Sequence, residues 1–220
     1  MSEIVLNLMK IKDSLSKSCT LVAVSKTKPI KDIEQAYNSG HRDFGENKVQ
    51  ELAEKAGYLP KDIRWHFIGH LQRNKVKYII PFIHLIHGVD SLRLLNEINK
   101  RAKNENKIIH CLLQVHIAEE DTKFGFNKPE LLDMIQQDNF KELENVQING
   151  LMGMATYTAD QDQIRREFKS LRRLFEELRA SDNKLKMKTL SMGMSGDYLA
   201  ALEEGSNMIR IGSAIFGERN

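Results

Sequence analysis

Eight short apolar runs punctuate the chain, at Leu21–Ser25, His41–Phe44, Trp65–Gly69, Ile83–Gly88, Ile108–Ile117, Val146–Ala155, Lys188–Met192 and Met208–Gly212. Between them apolar residues recur at helical spacing, as in Leu92, Leu95, Ile98 and Ala102, or in Ile164, Phe168, Leu171, Phe175 and Leu178. Strand-length runs alternating with helix-length segments predict βα units around a parallel sheet. The second and last runs are the weakest of the set. A further helix is expected over Ile4–Ser18, ahead of the first strand. The helix around Phe168 carries Arg165, Arg166, Lys169, Arg172, Arg173, Glu176 and Glu177 on its other face, which reads as a solvated surface with i,i+4 charge pairs.

Eight units in 220 residues leave about 27 residues each, compact but sufficient for a (β/α)8 barrel. An open doubly wound sheet would show the same alternation, yet no GxGxxG follows the first strand. A GxxxxGK[ST] loop, an HExxH helix and an EF-hand loop are also missing. With no repeat and no Pro/Gly-rich linker, residues 1–220 are expected to form one domain, a single (β/α)8 TIM barrel with an extra N-terminal helix.

Charge narrows the partners. The chain has 33 Lys+Arg against 30 Asp+Glu, a formal +3, and the signs are interleaved at Lys10–Asp13, Glu51–Lys55 and Arg165–Lys169. Tracking phosphates would need a segregated basic stripe, so a solvated mixed surface is expected, with no nucleic-acid partner. No run approaches the roughly 18 apolar residues that span a bilayer, and Met1-Ser2-Glu3-Ile4 lacks the features of a secretion leader. A cytoplasmic protein with no membrane partner is expected. Cys19 and Cys111 form no CxxC and read as small buried residues of a reducing compartment. His66, His70, His84 and His87 have no carboxylate or cysteine at ligand spacing, so they read as core or surface residues rather than metal ligands.

In a barrel of this kind the residues just after each strand face the functional end. The run Leu21-Val22-Ala23-Val24-Ser25-Lys26 drives an apolar strand straight into a lysine, and strand alternation puts Val22, Val24 and Lys26 on one face. A lysine in an apolar mouth is suited to Schiff-base chemistry, because desolvation favours its neutral amine. The alternatives are a strand-end lysine that snorkels to solvent, or Lys28 as the nucleophile. After strands seven and eight come Ser191-Met192-Gly193-Met194-Ser195-Gly196-Asp197 and Arg210-Ile211-Gly212-Ser213-Ala214. Each offers small residues at a helix start, and this is the recurrent anion position of the fold. Barrel closure makes strands one and eight neighbours, so an amine and an anion site can share one flat, phosphorylated aldehyde, which describes pyridoxal 5′-phosphate (PLP).

Five segments carry a closer resemblance: AVSKTKP at 23–29, FGENKVQE at 44–51, HFIGHLQRNK at 66–75, LSMGMSGD at 190–197 and RIGSAIFG at 210–217. In this order, over nearly the whole chain, they closely resemble the pyridoxal phosphate homeostasis protein family, whose barrel is similar to the N-terminal domain of alanine racemases. The resemblance implies that Lys26 forms an internal aldimine with PLP, that Ser195, Gly212 and Ser213 hold the phosphate, and that Arg210 faces the pyridine nitrogen. The 15-residue interval from Ser195 to Arg210 matches the serine and arginine of alanine racemases. Position 213, commonly Thr in the family, is Ser here and keeps the hydroxyl. Asn47 and His66 are expected in the pocket wall.

The implied activity is that of a non-enzymatic PLP carrier, acting in vitamin B6 homeostasis and supply to apo-enzymes, with effects on amino-acid balance, as a monomer or weak homodimer. An arginine at the pyridine nitrogen leaves that atom unprotonated and weakens the ring as an electron sink. The alternative is a low-activity PLP-dependent amino-acid racemase. It would need acid/base groups on both faces of the cofactor, and Tyr157 is the nominee for the face opposite Lys26. Alanine racemases take that group from a C-terminal β domain, whereas this chain runs only to Asn220. A Schiff-base aldolase on the same barrel is the third possibility.

Overall fold

A computed structural model of the chain describes residues 1–119, 124–181 and 185–218. Its strands are β1 (Thr20–Val24), β2 (Asp43–Glu46), β3 (Arg64–Phe67), β4 (Ile83–Val89), β5 (Ile109–Gln114), β6 (Val146–Met152), β7 (Thr189–Ser191) and β8 (Met208–Ile211). They close into a parallel barrel in sequence order. The helices among the described residues are α1 (Glu3–Asp13), α2 (Ile30–Asn38), α3 (Val49–Tyr58), α4 (Leu92–Asn104), α5 (Lys128–Gln136), α6 (Asp138–Lys141), α7 (Gln161–Ala180), α8 (Tyr198–Glu203) and α9 (Ser213–Phe216). The expected (β/α)8 barrel with its extra leading helix is what the chain forms. The seam is made by β1 and β8, with Thr20 opposite Met208, Val22 opposite Arg210 and Ala23 opposite Ile211.

Strand alternation divides the apolar residues into two cores. Leu21, Ala23, Phe44, Trp65, Phe67, Ile86, Cys111 and Leu113 point outward and pack under the helices. Val22, Leu85, Leu112, Met152 and Met208 fill the barrel interior. The outer ring is uneven, since α9 has only 4 residues. α1 lies against α2 and α9 and covers that gap, with Asn7 Nδ2 donating to the Ile215 carbonyl at 3.4 Å.

Several boundaries differ from the sequence pattern; the leading helix, expected to reach Ser18, ends at Asp13. The second strand is Asp43–Glu46 instead of His41–Phe44, because His41 precedes the ladder and its Nε2 meets the Asp43 carbonyl at 2.8 Å. The apolar runs through Ile117 and Ala155 leave the sheet at Gln114 and Met152 and continue as loops over the core. Between β3 and β4 the connection is a 3-10 helix over Arg73–Tyr78. No helix among the described residues is long and apolar enough to cross a membrane. Cys111 is buried as expected, whereas Cys19 is half-buried; neither forms a disulfide.

Candidate functional site

The site is built where β1 runs out at the carboxyl end of the barrel. Ser25 continues the ladder, donating its N–H to the Gly45 carbonyl at 3.0 Å, and a turn then closes as the Lys28 N–H bonds back to the Ser25 carbonyl at 3.0 Å. Lys26 occupies this turn, half-buried, two residues beyond Val24. Thr27 has φ +64°, a left-handed conformation that a β-branched residue adopts only when its surroundings impose it. Here the constraint is Glu51 of α3, whose Oε1 accepts the Thr27 N–H at 2.5 Å.

That carboxylate belongs to a buried ionic cluster behind the turn. Lys55 Nζ donates to Glu51 Oε1 at 2.7 Å, Glu46 Oε1 at 2.8 Å and the Ser25 carbonyl at 2.8 Å, while Ser25 Oγ donates to Glu46 Oε1 at 2.6 Å. Glu46 is fully buried and its Oε2 has no partner among the described residues. Burial therefore outweighs the attraction of Lys55 and the bond from Ser25, and the Glu46 carboxyl is pushed above its ordinary range. The sequence reading of Glu51–Lys55 as interleaved surface charge is corrected at Lys55, which is 5% exposed and ties α3 to the Lys26 turn.

Across the β1–β8 seam lie the loops after β7 and β8. Gly193 turns the chain at φ +97°, and its carbonyl accepts the Arg210 N–H at 3.0 Å, which locks one loop onto the other strand. Asp197 Oδ1 accepts the Met194 N–H at 2.6 Å and shapes the turn that presents Ser195. The Gly212 N–H points at Ser195 Oγ, 3.3 Å away. Gly212 also packs on β1, since a Cβ there would lie 3.3 Å from the Val24 carbonyl. The two loops thus converge beside the strand that delivers Lys26.

Below this mouth a chain of polar side chains crosses the interior. Arg210, 3% exposed, donates from Nη1 to the Ser191 carbonyl at 2.9 Å and to Ser191 Oγ at 2.6 Å, and from Nη2 to the Gly153 carbonyl at 3.0 Å. Ser191 Oγ lies 3.1 Å from His87 Nδ1, His87 Nε2 lies 2.9 Å from His66 Nδ1, and His66 Nε2 lies 3.1 Å from Asp43 Oδ1. Asp43 ends the chain against Arg64, with bonds of 2.7 and 2.5 Å to its two oxygens. Desolvation lowers the Arg210 pKa to about 10, so the guanidinium stays charged at neutral pH. It also holds His66 and His87 below their ordinary values and keeps both rings neutral. Burial works against ionisation of Asp43, but bonds from Arg64 and His66 outweigh it and hold the carboxyl low.

Most of the residues singled out in the sequence gather at this end. Lys26, Ser195, Gly212 and Asn47 are half-buried at the mouth, Ser213 is exposed at the start of α9, and Arg210 forms the floor. Asn47 is fixed by the backbone, since a Cβ on Gly69 would come within 2.4 Å of its carbonyl. His66 lies deeper than Asn47: it is 1% exposed, and both its ring nitrogens are engaged inside the barrel. Lys28 Nζ donates to the Glu218 carbonyl at 2.8 Å, toward the C-terminal segment, and Tyr157 is 97% exposed. Sequence reasoning missed Ser25, Glu46, Lys55, His87 and Ser191. For all but Lys55, which lies on α3, the one available signal was polarity in or beside a strand covered on both faces.

The chain matches the family model described as alanine racemase, N-terminal domain, over residues 1–220. It is 41% identical over 200 residues to the pyridoxal phosphate homeostasis protein of Aquifex aeolicus, covering 90% of this chain and 86% of that one. The human protein of that name is 39% identical over 211 residues, covering 91% and 76%. Among solved structures, PipY of Synechococcus elongatus with PLP bound superposes with a TM-score of 0.90 at 34% identity, covering 97% of this chain and 100% of that chain. An alanine racemase of Clostridium difficile shares the fold, at TM-score 0.80 and 16% identity over 99% of this chain and 56% of that chain. On sequence and architecture together, the chain belongs to the pyridoxal phosphate homeostasis protein family.

Proposed function

We propose that residues 1–220 act as one PLP-binding domain that holds the cofactor at the carboxyl end of the barrel and serves vitamin B6 homeostasis, supplying PLP to apo-enzymes and so influencing amino-acid balance. The observation that carries this reading is the convergence at the seam: the strand-one lysine turn beside the corner where Ser195 Oγ and the Gly212 N–H meet. PipY, described with PLP bound, and relatives named for PLP homeostasis support it.

The residues present fit the group. Lys26 supplies the amine for a reversible imine bond, with water as the leaving molecule. Ser195 Oγ, the Gly212 N–H and the Ser213 hydroxyl are donors for a phosphate. Of the five N–H donors of Arg210, three are engaged by Ser191 and Gly153, and two have no partner among the described residues. A guanidinium only donates, so one of those two fits the lone pair of an unprotonated pyridine nitrogen. Asn47 borders the opening. When bound, PLP supplies an aldehyde that exchanges between amines, and an unprotonated ring draws electrons too weakly to favour reaction at a substrate Cα.

The racemase reading rests on fold likeness to alanine racemases. It needs a second acid/base group facing Lys26, and an exposed Tyr157 does not supply one. The test is borohydride reduction of the yellow protein followed by peptide mass analysis. A pyridoxyl-phosphate mass is expected on the peptide containing Lys26, and a colourless protein that takes up no PLP would end the proposal. Ser195→Ala is expected to weaken PLP retention by roughly 1.5–3 kcal/mol, the worth of a bond to a charged partner. Incubation with single L-amino acids in deuterated water separates carrier from racemase, since only the racemase exchanges the Cα proton.

A further inference from the structure

The interior chain has a direction. An arginine can only donate and a carboxylate can only accept, and these two groups terminate the chain at opposite ends. Ser191 Oγ accepts from Arg210 at 2.6 Å, so its own proton is available to His87 Nδ1. His87 then carries its proton on Nε2 and donates it to His66 Nδ1, and His66 carries its proton on Nε2 and donates it to Asp43. Two neutral rings, each protonated at Nε2, satisfy every contact. Reversing the chain with neutral rings would require a protonated Asp43, with Ser191 Oγ accepting from both Arg210 and His87.

We propose that Asp43, His66, His87 and Ser191 form a one-way hydrogen-bond chain that fixes the Arg210 guanidinium, which makes His87 and Ser191 positioning residues for whatever Arg210 contacts in the mouth. The assignment of that contact to the PLP ring nitrogen rests on the function proposed above; the proton arrangement does not. The rival arrangement places an imidazolium at His66, donating to both Asp43 and His87. The groups facing the two rings oppose it. Asp43 of β2 attracts a proton, but Arg64 of β3, Arg210 of β8 and the neighbouring His84 of β4, whose ring lies 5.4 Å from His66, disfavour further positive charge. Both rings are also buried beyond the reach of water, at 1% and 0% exposure, where an extra charge is costly.

This chain does for Arg210 what packing alone does poorly. A guanidinium in an apolar barrel could swing between carbonyls, but a serine hydroxyl whose proton is already committed to His87 offers it an oxygen lone pair in one direction. Substituting His87 by a residue that cannot accept leaves the Ser191 hydroxyl without its acceptor and frees it to rotate. A glutamine at position 87 offers an amide oxygen and an N–H in place of the two ring nitrogens.

Two measurements test the proposal. In the PLP-free protein labelled with 15N-histidine, long-range correlation spectra between pH 5.5 and 8.5 are expected to show His66 and His87 neutral, protonated at Nε2 and not titrating. An imidazolium at His66, or a proton on Nδ1 of His87, would overturn the chain. In the PLP-loaded protein, His87→Leu is expected to move the visible absorption maximum and shorten PLP retention about fivefold, the scale of one hydrogen bond, while His87→Gln restores both. Should His87→Leu fail to fold, Ser191→Ala is read in its place against Ser191→Thr. Equal behaviour of the disrupting and the conservative variant would refute the positioning role. If the parent protein takes up no PLP, the functional reading fails, and the histidine spectra still decide the chain.

Discussion

β2 carries two buried carboxylates that face opposite ways, and the two regions they serve use charge differently. Asp43 points into the barrel, where its charge and that of Arg210 stand at the ends of a row with only neutral groups between them. Glu46 points out toward α3, where Glu46, Glu51 and Lys55 are in direct contact. The first arrangement conveys direction, since each link sets the proton of the next. The second conveys placement, since one ammonium draws α3, β2 and the Ser25 carbonyl to a single point beneath Lys26. A site needing both an oriented guanidinium and a fixed amine has one of each.

The sharpest way to break the contrast is Lys55→Met. It strands two carboxylates, one fully buried, and is expected to cost about 3–5 kcal/mol in denaturant unfolding. Glu46→Gln combined with Lys55→Met should recover most of that loss, because a neutral amide still accepts the Ser25 hydroxyl. The interior chain has no comparable single point, so Ser191→Ala is expected to cost less in stability than Lys55→Met.

Acid sets the two regions against each other. His66 and His87 are held below their ordinary value of 6.5, so below that pH the unfolded chain binds protons that the fold does not. Stability should fall as pH drops through 6.5, with a slope that approaches at most ~1.4 kcal/mol per pH unit for each ring. Glu46 is raised above its ordinary value of 4.5, so just above that pH the fold holds a proton that the unfolded chain has released. Its contribution declines as pH rises through that window, opposite in sign to the histidines. Unfolding free energies measured from pH 4.5 to 7 should therefore show a steeper acid slope in Glu46→Gln than in the parent. The smallest expected effect is Thr27→Gly. It relieves a left-handed β-branched residue, worth ~1–2 kcal/mol, and gives back ~0.5–1 kcal/mol in unfolded-chain entropy, a net gain of about 0–1.5 kcal/mol. The same variant should hasten PLP exchange by loosening the Lys26 turn.

How much of this was legible in the sequence follows from what each part depends on. Apolar periodicity located eight strands together with α4 and α7, because burial on a barrel is a local demand on each segment. It misplaced β2, whose second half is Gly45-Glu46. Gly45 is inward and small because a Cβ there would lie 2.9 Å from Val22 Cγ1, and Glu46 is outward but committed to Lys55, so neither looks like strand. Lys26, Ser195 and Gly212 could be expected at one end of the barrel because its topology gathers the strand ends there. The interior chain could not be found, since its members lie on five strands, with Ser191 and His87 separated by 104 residues. Lys55 looked like surface because a Glu at i−4 is the usual mark of an exposed helix face; only the neighbouring strand reveals the burial.

The seam between the first and last strands has a consequence in time. An emerging polypeptide displays its residue-26 amine early, but the corner proposed to hold the phosphate does not exist until residues 208–212 dock beside residues 20–24. On the proposed function, a half-made chain has the amine without the anion corner, and firm loading waits for the final strand. Closing the ring and becoming competent to take cargo are then one event.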